Sequence, residues 1–302
     1  ASKKPLDILS KKSLDSLSKK PLDMTELVES GTLTIAETTL GRVASNADRS
    51  QATSRRLSLH VAEQLHAHTA VKSAGQTAGA GFERIVADFL RATFPKMQSA
   101  RPGDWTILNV GSSRRKDHLS AYEPYTHLAD LAEAIRLNPE IGASLGNNYV
   151  ISPDILVLRE ALPDSTLNRD LKVVDDHSGL LSPVRAANRN SPTQHVHAVI
   201  SCKWTMRSDR SQNTRAEALN LIRNRKGRSP HIIAVTNEPT MSRIASLALG
   251  TGDIDMVYHV ALNELMLAIE DEGSDDAKEL LETLVHGNRL RDIGDLPLDL
   301  SV

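Results

Sequence analysis

Apolar residues follow two patterns along this chain. Short, nearly continuous apolar runs at 105–110, 149–158, 195–204, 231–235 and 256–260 predict strands. Helical spacing marks other stretches: Leu57, Val61 and Leu65; then Ile85, Val86, Phe89 and Leu90; then 127–137, halted near Asn138-Pro139. A helix over 212–224, with Ala218, Leu219 and Ile222 as its buried stripe and Gly227 at its end, follows the 195–204 strand, and a shorter one covers 241–249. Strand, helix, strand, helix, strand in the second half indicates an α/β core with crossover connections. Residues 162–194 are polar and pattern-poor, an excursion between two strands. The stretch 263–302 reads as helical and acidic, with Glu270, Asp271, Glu272, Asp275, Asp276, Glu279 and Glu282 clustered. That cluster would repel a polyanion, so it should face away from one, toward another subunit.

The 195–204 strand organises the rest. With a period of two, Ala198, Ile200, Cys202 and Trp204 share a face suited to the core, while His195, His197, Val199, Ser201 and Lys203 share the other. Cys202 is then a packing residue and not a nucleophile. A His-x-His metal site at His195 and His197 is a minority reading, and His60, His66 and His68 read as surface or packed histidines. Residues 149–158 carry Pro153-Asp154 inside the strand signal. Proline there marks an edge or a bulge, and bulges re-aim side chains beside active sites.

Composition narrows the function. Aromatic content of 3% disfavours a single-strand binder built on stacking platforms, and the lone cysteine excludes a disulfide framework and a cysteine zinc site. No apolar run approaches the length of a membrane span and no signal peptide is visible, so the expectation is a cytoplasmic protein with no membrane partner. Net charge is only -2, yet eight basic residues stand against two acidic ones between 203 and 228. That local field suits a polyanion, although charge alone fits a solvated helix face equally well. Three octapeptide copies beginning at Ser2, Ser10 and Ser18 cannot bury a core. Residues 1–24 are read as a peripheral arm and 25–302 as one domain.

Phosphodiester hydrolysis needs carboxylates to hold a divalent cation and often a lysine near the attacking water. Asp154 and Lys203, each on a strand, fit a Pro-Asp…x-Lys nuclease core, with Ser201 where a carboxylate usually precedes the lysine. Serine ligates a hard cation poorly. Glu217, one to two turns into the next helix, is the best placed replacement, and Glu83 could complete the cluster. Glu83 follows Gly75-Gln76-Thr77-Ala78-Gly79-Ala80-Gly81, whose glycines resemble a phosphate loop without the Lys-Ser/Thr that defines one. On spacing alone these residues also recur by chance. Arg207-Ser208-Asp209-Arg210 adds weight: arginine donates bidentately to guanine and aspartate accepts from cytosine. The same residues could cap a helix.

Taken with Gly75-Gln76-Thr77, Arg101-Pro102-Gly103-Asp104-Trp105, Pro153-Asp154-Ile155 and Ala248-Leu249-Gly250-Thr251-Gly252, residues 201–210 resemble the NgoMIV-type family of type II restriction endonucleases. These are CCGG-core enzymes of the PD-(D/E)XK nuclease superfamily. The likeness runs from about residue 43 onward, omits the octapeptides and is poor over 162–195. It implies a restriction-endonuclease-like α/β fold, a central mixed sheet flanked by helices. It implies a homotetramer built as a dimer of dimers, a cognate DNA methyltransferase, and Mg²⁺-dependent cleavage of double-stranded DNA with two ions per active site. Asp154, Glu217 and the backbone carbonyl of Cys202 would hold metal, with Lys203, Glu83 and Ser201 completing the catalytic set. Arg207, Asp209 and Arg210 would read the CCGG core, Arg243 the outer base pair, and Gln76 and Ser50 the minor-groove side. Arg49, where the family has a small residue, makes Ser50 the least secure of these. The implied target is GCCGGC, cut after the first G to leave four-nucleotide 5′ overhangs. Alternatives are a CCGG enzyme with other outer base pairs, a non-catalytic DNA-binding homologue, or a less specific repair nuclease.

Overall fold

A computed structural model describes residues 25–70, 75–111, 119–145, 151, 153–189, 194–206 and 208–302, with side chains throughout these except at 75–77, 145 and 208–211. The octapeptide arm, Arg207, and the side chains of Gln76, Asp209 and Arg210 lie outside the described residues. The elements in chain order begin with α1 (Glu26–Glu29), a hairpin of β1 (Ile35–Thr38) and β2 (Gly41–Ala44), α2 (Ala52–Gln64) and α3 (Gly75–Thr93). Next come β3 (Trp105–Asn109), α4 (His127–Leu137), α5 (Pro139–Leu145), β4 (Ile155–Arg159), α6 (Asp164–Leu167), β5 (His195–Lys203) and α7 (Ser208–Asn224). The chain continues through β6 (His231–Thr236), α8 (Met241–Ala248), β7 (Met256–His259), α9 (Leu262–Glu272), α10 (Asp275–His286), β8 (Leu290–Asp292) and α11 (Leu296–Asp299).

Six strands form one mixed sheet in the order β3-β4-β5-β6-β7-β8, antiparallel from β3 to β5 and parallel from β5 to β8. Both faces are covered, which is why the inner strands are apolar at almost every position instead of alternating. Leu156, Leu158, Val199, Ile232 and Ala234 pack with Ala218 and Leu221 of α7, Ile244 of α8, Leu265 of α9 and Leu284 of α10. Ile155, Val157, Ala198, Ile200, Cys202, Ile233 and Val235 face Phe82, Ile85, Val86 and Leu90 of α3 on the opposite side. Among the described residues no helix is long and apolar enough to cross a membrane.

Four details depart from the sequence expectation. Pro153-Asp154 lies before β4 and not within it, because proline has no N–H for the ladder. The irregularity falls on the partner strand: Val157 pairs with Ala198 and Leu158 with Val196, leaving His197 as an extra, bulged residue. The bulge reverses the alternation upstream, so His197 does not share the face of Ser201 and Lys203. Its ring stacks on Phe94 at 5.7 Å and lies 4.9 Å from Trp105, while Nε2 is 2.7 Å from the Leu300 carbonyl oxygen. Burial there pushes its pKa down to about 4, which makes it a neutral packing residue. On α7, the buried stripe is Thr214, Ala218 and Leu221; Leu219 is exposed and Ile222 only partly buried. Lastly, β8 adds a sixth strand within a stretch read as wholly helical, three residues being too short to show a period.

The buried anchor of the 162–189 excursion is Arg185. Arg185 is 3% exposed and forks onto Asp164, with Nε to Oδ1 at 2.6 Å and Nη2 to Oδ2 at 2.5 Å. Its Nη1 donates to the carbonyls of Asp175 and Ser178, both at 2.8 Å. The guanidinium is covered while its carboxylate partner is 40% exposed, so the anchor rests on the fork and the two carbonyls together. Arg185→Ala is expected to expose the excursion to chymotrypsin near Leu171 and Leu181 while leaving the sheet intact. Unchanged limited proteolysis would refute this.

Candidate active site

Antiparallel pairing of β4 with β5 builds the site. Ile155 pairs with Ile200, so the residue before β4 necessarily faces the last residues of β5. Asp154 Oδ2 accepts the Cys202 amide at 2.7 Å, the Ser201 hydroxyl at 3.5 Å and the Lys203 ammonium at 3.4 Å. The Asp154 carbonyl in turn accepts from the Val110 and Gly111 amides at 2.9 and 3.2 Å, which fixes the backbone on its other side. Side-chain exposures near 20% for both Asp154 and Lys203 place the pair at the mouth of a cleft, reachable by a ligand yet partly desolvated.

Two glutamates approach from opposite sides of the sheet. Phe82 is fully buried against Trp204, the ring centroids 5.4 Å apart, and this contact between α3 and the end of β5 sets the next residue, Glu83, over the cleft. Burial, reinforced by the Asp154 charge and opposed by Lys203, pushes the Glu83 pKa up to about 7. Glu217 is exposed as a whole residue, and its carboxyl is raised above the ordinary range by local desolvation, with Lys203 pulling it down and Asp154 pushing it up. Glu217 lines a cavity together with Pro153, Ser201 and Thr214. The Cys202 thiol is pushed well up by complete burial, as its core position requires.

Asp154 repels both Glu83 and Glu217 while Lys203 attracts them, a negative excess that a divalent cation would relieve. Among the described residues no three His, Cys, Asp or Glu side chains converge closely enough to cage an ion. The donor set fits Mg²⁺, which is usually held by one or two carboxylates and keeps several waters, and does not fit a zinc-type cage.

Gly111 carries a constraint with no sequence signature. A Cβ built there would lie 1.8 Å from Glu83 Oε2. Gly111→Ala is therefore expected to displace Glu83 and, since a misplacement of about 1 Å can cost about 100-fold, to slow cleavage at least tenfold with an unchanged circular dichroism spectrum. Wild-type cleavage would show that the Glu83 position is dispensable.

Of the DNA-contact candidates whose side chains are described, Arg243 and Ser50 are brought together by Asp48, which sequence reasoning missed. Arg243 Nη2 donates to Asp48 Oδ2 at 2.5 Å, and the Ser50 hydroxyl and amide donate to Asp48 Oδ1 at 2.7 and 3.0 Å. Arg243 foremost, then Ser50, hold the Asp48 carboxyl well below the ordinary range. The signal available was Asp-x-Ser, an Asx-turn pattern. His60 lies 3.2 Å from Glu272 and 3.5 Å from Asp271, linking α2 to α9 away from these residues.

Comparison with known proteins gives the chain a family. The profile of the NgoMIV restriction enzyme family matches residues 24–302. The type II restriction enzyme NgoMIV of Neisseria gonorrhoeae is 49% identical over 261 residues, 86% of this chain and 90% of that protein. Among solved structures, the restriction endonuclease PspGI in a substrate DNA complex matches with a TM-score of 0.23 and 19% identity over 34% of this chain and 38% of that one, too little to define a shared fold. The activity these relationships define is that of a type II restriction endonuclease, a site-specific deoxyribonuclease. The chain belongs to the NgoMIV restriction enzyme family.

Proposed function

We propose that this enzyme hydrolyses duplex DNA at GCCGGC in a Mg²⁺-dependent reaction, cutting after the first G to leave four-nucleotide 5′ overhangs. The observation that carries the catalytic part is the meeting of Asp154, Ser201, Cys202 and Lys203 at the β4–β5 junction, with Glu83 and Glu217 within electrostatic reach. Asp154, Glu217 and the Cys202 carbonyl would hold Mg²⁺, two ions per site. In extended backbone a residue's N–H and C=O point to the same side, so the Cys202 carbonyl faces the Asp154 side along with its amide. When bound, Mg²⁺ neutralises charge developing on the phosphate and acidifies water. Lys203 stabilises the attacking oxygen, Ser201 orients Asp154, and Glu83, with its pKa near 7, exchanges a proton near neutral pH.

Arg207, Asp209 and Arg210 are assigned to the CCGG core, Arg243 to the outer base pair, and Gln76 and Ser50 to the minor-groove side. The working form is a homotetramer, a dimer of dimers, paired in the cell with a cognate DNA methyltransferase. Digesting a sequenced plasmid with purified protein and Mg²⁺, then mapping the ends by run-off sequencing, tests the reading. Discrete fragments ending within GCCGGC are the expected result. Cuts at other CCGG sites would reassign the outer base pair, a smear would indicate a less specific nuclease, and no cleavage would indicate a DNA-binding protein only.

A further inference from the structure

The loop between β6 and α8 contains a carboxylate that the proposed chemistry does not use. Glu238 is 0% exposed. Burying a carboxylate is unfavourable unless its oxygens are fully partnered, and here both are. Oε2 accepts the Met206 amide at 2.7 Å and lies 3.7 Å from Arg243 Nη1, while Oε1 accepts the Thr240 amide at 3.1 Å. Met206 directly precedes Arg207 in the sequence and lies in the connection from β5 to α7. Thr240 begins α8, whose first turn carries Arg243. One side chain thus fastens both segments assigned to base recognition.

The same loop is tied to the catalytic strand. The Glu238 amide donates to Thr236 Oγ1 at 3.1 Å, and that hydroxyl donates to the Lys203 carbonyl at 2.8 Å. On the far side, Asn46 Nδ2 donates to the Asn237 carbonyl at 2.9 Å, and this links the loop to the segment bearing Asp48 and Ser50. The loop is thus hydrogen-bonded to β5, to the segment after it, to the start of α8 and to the segment bearing Asp48.

We propose that Glu238 is a positioning residue that sets the start of α7 and the start of α8 in a common register, so that discrimination at the CCGG core and at the outer base pair is coupled through it. This rests on the assignment of Arg207 and Arg243 to bases under the proposed function. A carboxylate is required because an amide in its place turns one acceptor into a donor facing an N–H. One of the two ties must then break.

The test compares kcat/KM on GCCGGC with that on sites changed at the outer pair and on sites changed within CCGG. For Glu238→Gln, discrimination is expected to fall about tenfold or more at both places, the loss of part of a bidentate contact at each. Arg243→Ala should relax only the outer pair and Arg207→Ala only the core. A folded Glu238→Gln protein that loses discrimination at one place, or at neither, overturns the proposal. If the two arginine variants relax nothing while Glu238→Gln relaxes both places, the base assignments fall and the positioning role stands. Should Glu238→Gln not fold, hydrogen exchange on the wild-type protein decides. The Met206 and Thr240 amides should be protected and open together, and fast exchange of either one overturns the tie.

Discussion

Asp154→Ala is expected to abolish cleavage while DNA still binds. The carboxylate meets Ser201, Cys202 and Lys203 at one oxygen, so its removal takes away the proposed metal ligand and the partner that orients the lysine. Removing a group that merely supports a metal ligand costs about 10–100-fold, so removing the ligand itself should exceed that range. Binding rests chiefly on phosphate and base contacts elsewhere and should persist in a gel-shift assay. The alanine variant also strands the Cys202 amide, at a cost of about 1–3 kcal/mol in stability. Asp154→Asn keeps an acceptor for that amide and separates the effects: it should be as inactive as alanine and nearly as stable as wild type. Near wild-type cleavage by either variant would remove Asp154 from the chemistry.

Glu83 gives the second large effect, read in stability. Its carboxyl goes from 4.5 in the unfolded chain to about 7 in the folded one. At Glu83 the folded state therefore binds more protons across that window, so this group's contribution to stability falls as pH rises from about 4.5 to about 7 and then levels off, against the opposite contribution of His197 and His259, each held down to about 4 by burial. With solvent screening the loss is on the order of 1–3 kcal/mol. Glu83→Gln cannot lose a proton, so its stability relative to wild type should increase from about pH 4.5 to about pH 7, and it should be the more stable protein at pH 8 in urea titrations without metal. Equal slopes for the two proteins would show that Glu83 titrates normally.

Much of this arrangement was legible in the sequence, and the exceptions share a cause. Long apolar strands buried on both faces announce themselves, so β3, β4, β5, β6 and β7 were found, and the two-residue period placed Ser201 and Lys203 on one side of β5 with Cys202 on the other. Periodicity failed where an extra residue reset it, at His197, and where the element was too short to show it, at β8. On α7 the pattern of apolar residues favoured Leu219, whereas the sheet buried Leu221 along with Thr214, a polar residue no hydrophobic pattern would select. Asp48, Gly111 and Glu238 were invisible for another reason. Each acquires its role only from a partner distant in sequence: Arg243 for Asp48, Glu83 for Gly111, and Met206 for Glu238.

The bulge at His197 divides β5 into two independently phased tracts. Upstream of it, the strand can lose or gain a residue by tightening or remaking the bulge, and side chains from Ala198 to Lys203 keep their orientation. Downstream there is no such slack: a one-residue insertion would turn Lys203 into the core and Cys202 into the cleft. Length variation among descendants of this chain can therefore accumulate ahead of the bulge, while the six residues after it are bound to a fixed count.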